Sequence, residues 1–162
     1  SENFKQKSCV EASWDATQGE FLVGSGGSCT PNCLTGFVSN ELSLSCNTGV
    51  LTPATFECRL PAQQPSFVAV GVVEALQMSI SWSEVSTGTS CTFTTWQVQV
   101  TRAGANDTIS WTTGCSANLD NALTTTCTVT GLEEGVMYRF RVRQRCTDPR
   151  LDSLWQESLN RA

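Results

Sequence analysis

An all-β fold in two small parts is what this sequence predicts, and three observations carry that expectation. Nine cysteines and no histidine stand in 162 residues. Apolar and polar residues alternate with period two from Phe67 onward, and no stretch of useful length repeats its apolar residues at helical spacing. A chain of this length can hold one large domain or two small ones, and the change of character near residue 60 favours two.

The cysteines are Cys9, Cys29, Cys33, Cys46, Cys58, Cys91, Cys115, Cys127 and Cys146. At this density they indicate disulfides formed in an oxidising compartment, so an extracellular location, secreted or at the cell surface, is expected. Asn106-Asp107-Thr108 is an N-glycosylation sequon and makes an N-glycan a candidate partner. The sequence holds no initiator methionine, no signal-peptide core and no apolar run long enough to cross a bilayer, so the chain reads as a mature product or a piece of a longer protein. Because nine is odd, one thiol is left over or bonds outside these residues. Fifteen acids against ten bases give a net charge of −5. Neither half is basic, which argues against nucleic acid or an anionic membrane surface as a partner.

Residues 1–60 are rich in Ser, Gly, Thr, Asn and Cys and poor in periodic apolar pattern, as expected of a small module held by bridges. Within it, Gly24-Ser25-Gly26-Gly27-Ser28 lacks the Gly-Lys-Ser/Thr ending of a phosphate loop and has cysteines on both sides, so a turn is expected. "RLPAQQPSF", residues 59–67, marks the boundary, with 61–65 as a semi-rigid linker stiffened by Pro61 and Pro65. Residues 66–162 form the second part. In "LQMSISW" Leu76, Met78, Ile80 and Trp82 share one face, and "WQVQV" repeats the pattern with Trp96, Val98 and Val100. "DTISWT" and "TTCTVTGL" are two further short strands, and "YRFRVRQR" turns Tyr138, Phe140 and Val142 inward. Short alternating strands between turn residues predict an antiparallel β-sandwich.

These residues carry a family likeness. Trp82 ending the second strand, Trp96 at the head of the third and "GLEEGVMYRFRV" make residues 66–162 resemble a fibronectin type III domain. The resemblance implies that Leu132 plugs the core and that Tyr138 is a corner tyrosine, bonded back to the chain near residue 132. It also places Cys91 and Cys146 in loops at one end of the sandwich, implying a Cys91–Cys146 bridge. Cys115 and Cys127 flank a polar loop short enough for a companion bridge, Cys115–Cys127. In the first part, "CLTGF" and "CNTGVLTPATFEC" resemble a sushi module, whose pairing implies Cys9–Cys46 and Cys33–Cys58. Cys29 is then unpaired or intermolecular. Residues 26–58 also resemble cysteine-rich repeats of large surface or secreted proteins of alveolate protists.

Arg139, Arg141, Arg143 and Arg145 occupy alternate positions of the strand that buries Tyr138 and Phe140, so all four face outward on one sheet. They could dock an acidic partner or a sulfated glycan. Alternatively, Trp155 from the last strand stacks between guanidinium planes and the stripe braces the sheet. That arrangement resembles the arginine and tryptophan ladder of cytokine-receptor fibronectin domains.

Catalytic candidates are few. Without histidine no Ser-His or Cys-His pair can form. Cys29-x3-Cys33 has no matching second half for a zinc site, and Glu133-Glu134 reads as a solvated turn. No metal, cofactor or enzymatic activity is expected. The sequence therefore points to a structural or adhesive module of a cell-surface coat or extracellular filament, with protein partners met by self-assembly or through neighbouring modules. A ligand-binding receptor ectodomain is the alternative.

Overall fold

The computed structural model describes residues 9, 13–15, 20–22, 24–48, 50–74, 76–85, 88–104, 109–115 and 117–158. They fall in two compact units, Ser1–Leu60 and Pro61–Ala162. Asn106 and its sequon lie outside the described residues.

The strands of the first unit are two to four residues long: β1 (Ser13–Asp15), β2 (Glu20–Leu22), β3 (Ser28–Cys29), β4 (Val38–Ser39), β5 (Leu44–Asn47), β6 (Val50–Thr52) and β7 (Cys58–Arg59). β1 pairs with β2, β5 runs between β3 and β6, and β4 pairs with β7, all antiparallel. Residues 24–27 close a tight turn: the Gly27 N–H donates to the Gly24 carbonyl at 3.1 Å. Gly26 sits at φ 80°, which a residue without a Cβ adopts at little cost. The Gly26 N–H donates to the Cys46 carbonyl at 2.8 Å and the Cys46 N–H to the Gly27 carbonyl at 2.8 Å, which seats this turn on β5. Below it Cys9, Cys29 and Leu44 form the core, with Leu51 and Phe56 packed against them.

All nine cysteines are described. Bridges join Cys9 to Cys29, Cys33 to Cys58, Cys91 to Cys146 and Cys115 to Cys127. The expected Cys9–Cys46 pairing is therefore corrected, and with it the assignment of Cys29 as the unpaired or intermolecular thiol. Strand register supplies the reason. Cys29 lies opposite Leu44, and Cys9 forms an isolated antiparallel bridge with Pro31, two residues beyond Cys29 on the same face. The Cys9 and Cys29 Cα atoms thus come within 5.6 Å, inside the range a bridge requires. Cys46 is held against the 24–27 turn instead, buried and outside the four bridges.

The second unit comprises β8 (Val68–Glu74), β9 (Gln77–Trp82), β10 (Phe93–Arg102), β11 (Thr112–Thr113), β12 (Thr126–Thr130), β13 (Tyr138–Cys146), a 3-10 turn (Pro149–Leu151) and β14 (Gln156–Glu157). One sheet has the order β12-β9-β8 and the other β11-β10-β13-β14, every pair antiparallel. Alternation builds the core. Met78, Ile80 and Trp82 from β9 meet Trp96, Val98 and Val100 from β10 and Phe140 and Val142 from β13. Trp82 and Trp96 pack edge to face, with ring centroids 5.7 Å apart. Leu76 departs from the expected inward face: β9 begins at Gln77, so Leu76 belongs to the hairpin turn and is 60% exposed. Of the described residues of "DTISWT", 109–112, only Thr112 lies in β11 and pairs with β10.

Tyr138 is buried, and its hydroxyl oxygen accepts the Glu133 N–H at 3.0 Å. Leu132 is buried beside it and donates its N–H to the Leu76 carbonyl at 3.1 Å. Residues 61–65, expected as a linker, pack onto this unit. Ala62 is buried and donates its N–H to the Leu151 carbonyl at 2.9 Å, and the Gln64 side chain donates to the Trp155 carbonyl at 2.5 Å.

Candidate functional site

Burial alternates without a break along β13: Tyr138, Phe140, Val142, Gln144 and Cys146 point inward, and the four arginines between them lie on the outer face. Antiparallel register sets what each guanidinium meets on β10. Arg141 stands opposite Gln99 and Arg143 opposite Gln97. The Gln99 Oε1 accepts from Arg141 Nε at 2.8 Å and from its Nη2 at 2.6 Å. The Gln97 Oε1 accepts from Arg143 Nε at 2.8 Å and from Arg145 Nη1 at 3.3 Å.

Two indoles interleave with this row. Trp111 precedes β11 and Trp155 precedes β14, the edge strands of the sheet, so their rings come in from opposite sides. The Arg141 Cζ lies 4.1 Å from the Trp111 ring centroid and 4.3 Å from that of Trp155. The Arg143 Cζ lies 4.5 Å from Trp155, and the Arg139 Cζ 5.9 Å from Trp111. The order Arg139, Trp111, Arg141, Trp155, Arg143 is a ladder in which aromatic faces separate like charges, each close contact stabilising by about 0.5–2 kcal/mol.

Acids close both ends. The Arg145 Nε lies 2.6 Å from Asp152 Oδ2, while Asp152 Oδ1 accepts the Cys146 N–H at 2.8 Å. At the other end Arg139 Nη1 lies 3.9 Å from Glu157 Oε2. Burial is the main cause lowering the pKa of Arg141 from its ordinary value; Glu157 opposes it and Arg143 adds to it. For Arg143 burial again leads, with Arg145 adding and Asp152 opposing. An arginine lowered from so high a starting value stays charged at neutral pH, so the ladder remains cationic.

Two serines fix the segment that carries Trp155. The Ser153 N–H donates to the Gln144 carbonyl at 3.0 Å, and its Oγ accepts the Gln144 N–H at 2.9 Å. Ser158 does the same at Phe140, donating its N–H at 2.8 Å and accepting through Oγ at 3.2 Å. The structure therefore brings Arg139, Arg141, Arg143, Arg145 and Trp155 together. It adds Trp111, Gln97, Gln99, Asp152 and Ser153, which the sequence reading did not single out, and gives Ser158 a bonding role at Phe140. Trp111 could have been found by asking which other tryptophan flanks an edge strand of the same sheet. Glu133 and Glu134 lie apart from the ladder, in the loop before Tyr138, with Glu133 paired to Arg102. Among the described residues no group of three or more His, Cys, Asp or Glu side chains could hold a metal ion, and no helix is long and apolar enough to cross a membrane.

Two antiparallel sheets packed face to face and cornered by a buried tyrosine define an immunoglobulin-like β-sandwich. The fibronectin type III domain model matches residues 63–151, more than half of the chain, and the chain belongs to that family. Among solved structures, domains A168–A170 of titin align over 74% of this chain and 38% of their own length, at 17% identity and a TM-score of 0.51. The FN1–FN3 domains of chicken CNTN1 align over 63% of this chain and 32% of theirs, at 14% identity and a TM-score of 0.50. At these identities the likeness is one of fold. No curated protein matches the chain. Fibronectin type III domains and multiple disulfides are typical of extracellular, multi-domain proteins, and no enzyme family is indicated.

Proposed function

We propose that the chain is a non-enzymatic structural or adhesive building block of a cell-surface coat or extracellular filament, part of a longer multi-module protein whose partners are further copies or neighbouring modules. The observation that carries this reading is how the second unit secures its two ends. Ala62 and Gln64 bond to Leu151 and Trp155, and the stretch that receives them is fastened to β13 by the serines and the ladder. Tension drawn through this unit between residues 62 and 158 meets those contacts first. Every arginine of the stripe already has an acid, an amide oxygen or an indole as partner, which supports bracing over capture of a sulfated ligand. A glycan on Asn106 belongs to the same reading. The first unit acts as a second cross-tied module; its Cys9–Cys29 bridge departs from the sushi pattern.

Immunogold labelling of native material, with mass spectrometry under non-reducing conditions, tests the proposal. The expected result is labelling of extracellular or surface structures with the four bridges intact. Labelling confined to the cytosol, with the cysteines reduced, would end it. A receptor ectodomain is the competing reading; a single copy followed by a membrane span in the full-length chain would favour it over tandem copies in a regular axial array.

A further inference from the structure

At the end of the second unit where β8 turns into β9, an apolar groove with an acidic rim opens to solvent. Val73, Glu74, Met78, Glu134, Val136 and Met137 line a hollow of about 440 Å³ between this hairpin and the loop preceding Tyr138. Val73 is 55% exposed, Met137 50% and Leu76, at the hairpin tip, 60%. The Leu132 N–H bonded to the Leu76 carbonyl ties hairpin and loop together, so these side chains form one surface. Exposed apolar side chains gathered in a concave site with a polar rim mark a place where another chain binds.

Charge selects the occupant. Glu74, Glu133 and Glu134 line the groove, and no lysine or arginine does. Glu133 is taken by Arg102, whereas Glu74, whose carboxylate accepts from the Gln77 side-chain amide, and Glu134 make no ion pair among the described residues. Two copies of this chain meeting groove to groove would set carboxylates against carboxylates, an arrangement that disfavours pairing. A second copy approaching by another face carries a net charge of −5, which opposes the acidic rim; its Lys5, Lys7 and Arg161 lie outside the described residues, and the bases within the described residues are committed. Arg59 is held by Glu57, Arg102 by Glu133 and Arg150 by Asp148, and the four arginines of β13 are engaged in the ladder.

We propose that this groove docks an apolar segment flanked by lysine or arginine and supplied by a different protein. The segment's apolar side chains fill the space between Val73 and Met137, and its bases meet Glu74 and Glu134. The inference does not rest on the coat or filament reading.

The test is an NMR titration of the 162-residue chain with the peptide Lys-Leu-Lys-Leu-Lys, with Glu-Leu-Glu-Leu-Glu as the control. The lysine peptide is expected to shift resonances of Val73, Leu76, Val136 and Met137, with an affinity that falls as salt is raised. The double variant E74Q/E134Q, altered only at exposed side chains, is expected to bind it about threefold to tenfold more weakly. Four outcomes would overturn the proposal: no shifts at millimolar peptide, shifts scattered over the surface, an equal response to the acidic peptide, or unchanged affinity in the double variant. Concentration-dependent self-association that shifts the same four residues without peptide would also overturn it, in favour of a second copy.

Discussion

The two units solve the same problem with different materials. Among the described residues, the core of the first consists of Cys9, Cys29 and Leu44 with two partly buried neighbours, and no strand in it exceeds four residues. The core of the second gathers thirteen buried residues between two sheets, in strands of up to ten. Apolar burial scales with the area removed from water, so the first unit is left dependent on its bridges while the second carries bridges in addition to a sandwich core. Sulfur is the framework of one unit and a reinforcement of the other.

Full reduction should break that comparison most visibly. The first unit is expected to lose its fold, with collapse of the Leu44 and Leu51 methyl dispersion in NMR spectra, while the second keeps its dispersed signals and a cooperative melt. Loss of both together would show that the second unit is equally bridge-dependent. Trp82→Ala should cost the second unit about 3–5 kcal/mol by removing a fully buried ring. Chemical denaturation followed by spectroscopic probes in each unit would show whether the first is spared. Within the second unit, removing the Cys91–Cys146 bridge, separation 55, should cost more than removing Cys115–Cys127, separation 12. The chain-entropy model gives about 4 and about 3 kcal/mol, and calorimetry of the paired serine variants measures the difference. The smallest effects belong to the ladder. Trp155→Ala, which loses contacts with two guanidinium groups, should cost about 1–3 kcal/mol. Trp111→Ala should cost about 1 kcal/mol, having one close contact and one at 5.9 Å. Equal losses in the two variants would mean that the rings act through burial rather than through the arginines.

What could be read from the sequence follows the same division. In the second unit the period-two pattern is a direct record of which side of a strand faces the core, so the all-β class and the fibronectin type III likeness were legible. The pattern misled where it ran past the end of a strand, at Leu76, because polar and apolar residues keep alternating into the turn, and in "DTISWT", where Ile109, Ser110 and Trp111 lie outside the two-residue strand β11. In the first unit spacing says little. Whether Cys9 meets Cys29 or Cys46 depends on β3 lying against β5 with Cys29 opposite Leu44, and two-residue strands leave no pattern from which to read that register. The ladder was half visible for a related reason. Trp155 lies close in sequence to the stripe, whereas Trp111 arrives through β11, a strand of two residues at the far edge of the sheet.

The paired catches at Ser153 and Ser158 have a consequence for a severed chain. Arg150 lies just before them on an exposed turn, so a trypsin-like protease could cut there without touching either serine. The clipped tail would stay in its slot, held by Leu151, the catches and the stacked Trp155, and the nicked molecule would part into two pieces only in denaturant.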